Sequence, residues 1–262
     1  MYLPIFHVDA FTAKPFGGNP AAVCPLTEWL DDDLLRAVAS ENNLSETAYL
    51  VPRGDYYDLR WFTPRCEVQL CGHATLASAF VILQILAPGS NSVRFETRFS
   101  GTLTVSARGD LLTMDFPAKP PWPCANPPEE LLMGLGSAPV SVMQVEDNYF
   151  AMYEQEEDIK GISPDLRVLE KLHPAGVAIT APGDDSDFVS RYFAPSYGLP
   201  EDPVTGSTHC SLAPYWGERL GKTSLHARQV SQRGGELWCE LNGNRVAIKG
   251  NAVLTLRGQL LI

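Results

Sequence analysis

Apolar and polar residues alternate along this chain in two separate regions. The segments 93–108 (VRFETRFSGTLTVSAR) and 111–116 (LLTMDF) lie in one, and 237–250 (LWCELNGNRVAIKG) and 252–262 (AVLTLRGQLLI) in the other. A period of two predicts strands, and the Ser-Gly, Arg-Gly-Asp and Asn-Gly-Asn steps supply the turns. The stretch QLCGHATLASAF at 69–80 behaves differently, because it continues almost without polar relief through Val81, Ile82, Leu83, Ile85 and Leu86. Such a run predicts a helix buried on all sides. Cys71, Gly72 and His73 stand where that helix begins.

The chain also resembles itself. Residues 48–64 (AYLVPRGDYYDLRWFTP) and 178–195 (AITAPGDDSDFVSRYFAP) share an apolar run, a proline, a Gly-Asp turn and an aromatic-rich ending in proline. Pro64 and Pro195 are 131 positions apart, Leu34 and Leu166 are 132 apart, and Gly72 and Gly206 are 134 apart. One offset near half the chain length predicts two copies of one α+β domain. Six prolines between Pro117 and Pro128 suit an extended connector. The expected halves are therefore residues 1–117 and 118–262.

Aligning the copies sets Cys71-Gly72-His73-Ala74 against Thr205-Gly206-Ser207-Thr208. Both stretches would open a helix, where unpaired N–H groups and a partial positive charge favour an anion. A glycine there lets a ligand approach the backbone. Pro214 is expected to kink or delay the second helix. Candidate acid–base groups are near: His73 and Cys71 at the first turn, Glu201 and Asp202 before the second. Glu46 lies in NNLSETAYL, where a polar loop gives way to a strand, and composition ranks it no higher than other acids.

Charge narrows the class. Twenty basic and 31 acidic residues give a net charge of −11, and the basic residues are scattered, which argues against nucleic acid as a partner. No apolar stretch reaches membrane-span length, and the start lacks the marks of a secretory signal. Six dispersed cysteines then suggest reduced thiols and a cytoplasmic protein. Cys66, Cys71 and His73 have no fourth metal ligand at recognisable spacing. Gly-x-Ser-x-Gly, Gly-x-Gly-x-x-Gly and phosphate-loop motifs are all missing. The expectation is an enzyme without metal or cofactor.

Five segments together carry a family resemblance: FGGNPAAV (16–23), LSETAYL (44–50), FTPRCEVQLCGHATLASA (62–79), RYFAP (191–195) and EDPVTGSTHCSLAPYW (201–216). Spread over both halves, they resemble the PhzF-like (phenazine biosynthesis-like) family, which shares the diaminopimelate epimerase fold. The resemblance implies two pseudo-symmetric domains, each a β-barrel-like sheet around a central helix, with the active-site cleft between them. It implies that Glu46 is the acid–base carboxylate and that His73 and Asp202 support it. Asn19 falls in the Gly-Asn-Pro motif. Gly72, Gly206 and Ser207 would give backbone donors to a substrate carboxylate, with Cys71 beside them.

The implied reaction is a cofactor-free isomerisation of a small, amino-acid-like carboxylate by proton transfer, and the family often forms homodimers. An alternative is amino-acid racemisation by two thiols, which Cys71 could join, although its repeat mate is Thr205 and Cys210 lies inside the second helix. A non-catalytic metabolite-binding or interaction module with the same fold is the third reading.

Overall fold

The computed structural model describes residues 2–173 and 175–262. The chain forms two compact units, Met1–Asp115 with Lys249–Ile262, and Phe116–Ile248.

The first unit opens with β1 (Tyr2–Ala10), β2 (Asn19–Pro25), α1 (Asp32–Asn42) and β3 (Glu46–Pro52). It continues through β4 (Tyr57–Phe62), β5 (Glu67–Val68), α2 (Gly72–Val81), β6 (Ser92–Thr97), β7 (Gly101–Arg108) and β8 (Leu111–Pro117). In the second unit β9 (Trp122–Pro123), α3 (Glu129–Leu135), β10 (Ser141–Val145) and β11 (Asn148–Met152) come first. Next are α4 (Glu156–Gly161), α5 (Leu166–Leu169), β12 (Gly176–Pro182), β13 (Phe188–Ala194) and β14 (Leu199–Asp202). The remaining elements are α6 (His209–Leu220), β15 (Ser224–Gln229), β16 (Gly235–Asn242), β17 (Arg245–Gly250) and β18 (Ala252–Leu261).

The repeat seen in the sequence is a repeat of topology. In the first unit β1–β2 is antiparallel, β2–β3 parallel and β3–β4 antiparallel; β4 then takes β5 antiparallel and β6 parallel. The second unit makes the same series from β10 to β15. In each unit the long helix, α2 or α6, follows the short strand, β5 or β14, and precedes the parallel strand that ends the series.

Strands beside these helices do not alternate. Five consecutive residues of β3 and six of β12 are buried, so each strand is covered on both faces. One cover is outer: Leu35, Val38 and Ala39 of α1 meet Tyr49, Val51 and Phe62 in the first unit. Leu131 and Leu135 of α3 and Ile159 of α4 meet Val177 and Ile179 in the second. The inner cover is the central helix. From His73 to Ala79 every residue of α2 is buried, as the unbroken apolar run predicted. In α6, Trp216 stacks on Phe188 of β13 at 5.8 Å and donates from Nε1 to Thr180 Oγ1 of β12. The α+β architecture with a sheet around a central helix is thus present twice.

Two details depart from the sequence reading. The sequence places residues 252–262 in the second half, but β18 lies antiparallel along the whole of β1, from Tyr2↔Leu261 to Ala10↔Ala252. The period-two pattern announced a strand; its partner at the far end of the chain left no local trace. The proline-rich connector also forms one short pairing, Trp122 and Pro123 against Gln144 and Met143.

Pro214 acts as expected. Gly206–Thr208 form a tight 3₁₀ turn before the α-helix starts at His209. Proline cannot donate to the carbonyl four residues back. That carbonyl, Cys210 O, instead accepts from Lys119 N–H of the connector at 2.8 Å.

Candidate functional site

Four of the residues singled out in the sequence converge in the first unit. Asn19 opens β2, Glu46 opens β3, and Ala21 is the register partner of Glu46. Cys71 caps α2 in extended conformation, and His73 is its second residue. The loop leading to Asn19 has its own anchor: buried Asp9 accepts from Phe16 N–H at 2.7 Å. Gly18 in that loop has φ +60, and a Cβ would fall 2.1 Å from Ala10 O, so only glycine fits.

His73 is the centre of this group. Its Nε2 lies 3.2 Å from Glu46 Oε2. Its Nδ1 lies 3.2 Å from Asn19 Nδ2 and 3.5 Å from Cys71 Sγ. The Glu46 contact has ion-pair distance without hydrogen-bond geometry, so Oε2 is buried and accepts no hydrogen bond. Burial pushes the imidazole pKa down, but Cys71 and Glu46 outweigh it and hold it well above the ordinary value. The Cys71 thiol is itself pushed up to about 11, by burial and by Glu46. It therefore stays protonated at neutral pH.

Three donors here, from Glu46, Cys71 and His73, lie within 4.8 Å of one another. They could coordinate a metal ion, yet a closed zinc centre needs a fourth ligand. Cys66, grouped with this pair on sequence grounds, is exposed and lies by the Thr63 hydroxyl at 3.7 Å. The start of α2 has no side-chain cap, which leaves helix-terminal N–H groups for another partner. A Cβ on Gly72 would meet nothing within 4 Å, so packing within the chain does not demand glycine there.

The second unit holds the rest. Asp202 ends β14, Thr205 is the extended residue before the 3₁₀ turn, and Gly206 and Ser207 form that turn. Thr205 thus occupies the place that Cys71 holds in the first unit, with the same extended backbone. Cys210 lies in the first turn of α6 beyond it, with its thiol pushed up to about 12 by burial. The second thiol of a two-thiol mechanism is therefore a hydroxyl in this chain. Residues the sequence did not single out complete this corner: Gln229 and His209 bond Thr205, and Tyr192 is the register partner of Asp202. One signal was available. In β15 the buried positions are Leu225, Ala227 and Gln229, so strand alternation puts an amide on the apolar face.

No helix among the described residues is long and apolar enough to cross a membrane. The pattern of the phenazine biosynthesis-like family matches residues 8–258. An uncharacterised isomerase of Pseudomonas aeruginosa is 54% identical over 260 residues, 99% of each chain. The crystal structure of a PhzF-family protein from Enterococcus faecalis superposes with a TM-score of 0.96 at 43% identity, covering 100% of both chains. A probable proline racemase from Agrobacterium radiobacter shares the fold alone, at a TM-score of 0.65 and 12% identity over 99% of this chain and 93% of its own. With its repeated topology, its Glu46–His73 pair and a match over nearly its whole length, this chain belongs to the phenazine biosynthesis-like (PhzC-PhzF) family.

Proposed function

We propose that this protein is a cofactor-independent isomerase that moves a proton between carbons of a small, amino-acid-like carboxylate. The observation that carries the reading is the Glu46 carboxylate. Its Oε2 is buried, accepts no hydrogen bond, and lies 3.2 Å from His73 Nε2. A general base must keep a lone pair uncommitted and must have somewhere to send charge. Glu46 has the imidazole of His73 3.2 Å away to offset its negative charge, and its side chain is 17% exposed at the start of β3, where a substrate can reach it. The isomerase name carried by the 54%-identical relative supports the same reaction class.

Each residue then has a role. Glu46 removes the proton and returns it at another position. His73 holds charge beside it, and its Nδ1–H donates to Cys71 Sγ at 3.5 Å. The N–H groups at the start of α2, at Gly72, take a substrate carboxylate and fix its orientation, and the Gly206–Ser207 turn is the equivalent donor group of the second unit. Asp202 acts as a further acid–base group. Donors at the helix start also stabilise negative charge developing on the substrate as the proton leaves.

The test works on a panel of candidate substrates. The protein is incubated in D₂O with amino acids and with cyclic amino and hydroxy carboxylates, and deuterium uptake is followed by mass spectrometry beside Glu46→Gln. Uptake that depends on Glu46 and appears at a new carbon supports isomerisation. Uptake confined to the α-carbon would move the reading to racemisation. Ligand binding without uptake would mean a binding module.

A further inference from the structure

Thr205 is unusual in that each of its polar groups is committed. Its N–H donates to Gln229 Oε1 at 2.8 Å. Its carbonyl accepts from the Thr208 hydroxyl at 2.8 Å and from His209 Nδ1–H at 2.9 Å. Its hydroxyl donates to Asp202 Oδ2 at 2.5 Å and accepts from Gln229 Nε2 at 3.3 Å. The same Nε2 donates to Asp202 O at 2.7 Å. Thr205, His209 and Gln229 are all buried.

These contacts fix directions as well as distances. The Thr205 N–H can only donate, so the group facing it is the Gln229 oxygen, and the Gln229 NH₂ must face Asp202 O and the Thr205 hydroxyl. That NH₂ occupies the acceptor side of the hydroxyl and leaves its proton one strong acceptor, the Asp202 carboxylate. Burial pushes the His209 imidazole down to about 4 despite its bond to Thr205 O, so it is neutral and keeps its proton on Nδ1. The Asp202–Thr205 turn is therefore held from Gln229 on one side and from the base of α6 on the other.

We propose that Thr205 and Gln229 are positioning residues for Asp202: Gln229 orients the Thr205 hydroxyl, and the hydroxyl holds the carboxylate in a single rotamer with Oδ2 committed. The proposal rests on the reading of Asp202 as an acid–base group. It also gives a reason for threonine at the place where the first unit has Cys71. A thiol is a weak donor with a longer reach and would not orient a carboxylate as a hydroxyl does.

The test compares Thr205→Ser, which keeps the hydroxyl, with Thr205→Val, which keeps the shape. On a substrate found by Glu46-dependent exchange, Thr205→Ser stays within about 3-fold of wild type. Thr205→Val loses roughly 10- to 100-fold in kcat, the range for one hydrogen bond to a charged group, with KM little changed. Gln229→Met costs a similar factor alone and almost nothing further once Thr205 is valine, because both act through one hydroxyl.

A second readout does not need turnover. In mixed H₂O and D₂O, the Asp202 carboxyl carbon, assigned with Asp202→Asn, shows an isotope shift from the hydroxyl it accepts from. The shift is expected at full size in wild type and Thr205→Ser, and is expected to shrink in Thr205→Val and in Gln229→Met. Full kcat in a folded Thr205→Val protein would overturn the proposal. So would an absent isotope shift in wild type, or a shift that persists unchanged in Gln229→Met should the valine variant not fold. If wild type exchanges no proton at any carbon but the isotope shift behaves as stated, the isomerase reading fails while the positioning of Asp202 stands.

Discussion

The corner before α2 and the corner before α6 have one backbone design and two chemistries. In each, a short strand ends, an extended residue turns the chain, and a buried helix begins. At the first corner that residue is Cys71, and the neighbouring carboxylate, Glu46, has an oxygen that accepts no hydrogen bond. At the second it is Thr205, and the neighbouring carboxylate, Asp202, takes its hydroxyl at 2.5 Å. The histidines differ in the same sense. His73 has its pKa held well above the ordinary value by Cys71 and Glu46, whereas His209 touches a carbonyl and an aromatic ring and is held neutral. A duplicated fold has thus given its two corners different polar partners, and the difference lies in side chains, not in topology.

Replacing the two carboxylates breaks the comparison most directly. Glu46→Gln is expected to lower deuterium exchange by about 10³-fold, in the middle of the range for general acid–base groups. Asp202→Asn keeps an acceptor for Thr205 and is expected to cost less, about 10²-fold, nearer the low end of that range. Rates measured side by side on one substrate decide the point. Equal losses would mean that the two corners share the proton transfer and that the asymmetry described above has no kinetic consequence.

The histidines give opposite pH signatures. The folded pKa of His209, about 4, lies below the unfolded value, so between them the unfolded chain binds the extra proton. Stability therefore falls as pH drops from about 6.5 towards 4, by on the order of 3 kcal/mol at most. His73 has a raised folded pKa. Its contribution is complete below about 6.5 and is lost as pH rises through the folded value. Urea melts from pH 4 to 9.5 should show the acid slope diminish in His209→Asn and the alkaline slope diminish in His73→Asn. An unchanged acid slope in His209→Asn would mean that this imidazole is not neutral in the native protein.

How much of this was written in the sequence follows from range. The α2 helix was legible because its signal is local: a continuous apolar run opened by a glycine. The duplication was legible because Pro64 and Pro195, Leu34 and Leu166, and Gly72 and Gly206 keep nearly one offset. The pairing of β18 with β1 was not, since alternation announces a strand and never its partner. The grouping of Glu46 with His73 came from family resemblance, and residue type alone did not distinguish Glu46 from other acids. Gln229 and His209 escaped because both act on the backbone of Thr205. A side chain that serves a main-chain group leaves no pattern of complementary residues, and only the buried position of an amide in β15 hinted at it.

The smallest effect is expected from Cys71, and it discriminates most sharply between proton transfer by a carboxylate and by a thiol. Burial and the nearby Glu46 push its pKa up to about 11, so at neutral pH nearly every molecule carries the protonated thiol. Its Sγ lies 3.5 Å from His73 Nδ1, where a serine hydroxyl can also form a hydrogen bond. Cys71→Ser should therefore reduce exchange by less than about 10-fold, the cost of adjusting one weak contact to His73. Iodoacetamide should label exposed Cys66 well before Cys71, since the reagent attacks accessible thiolates. Should Cys71→Ser instead abolish exchange as fully as Glu46→Gln, with Cys71 labelled early, the thiol would be the base. The first corner would then work as half of a two-thiol racemase, with Thr205 as an unmatched partner.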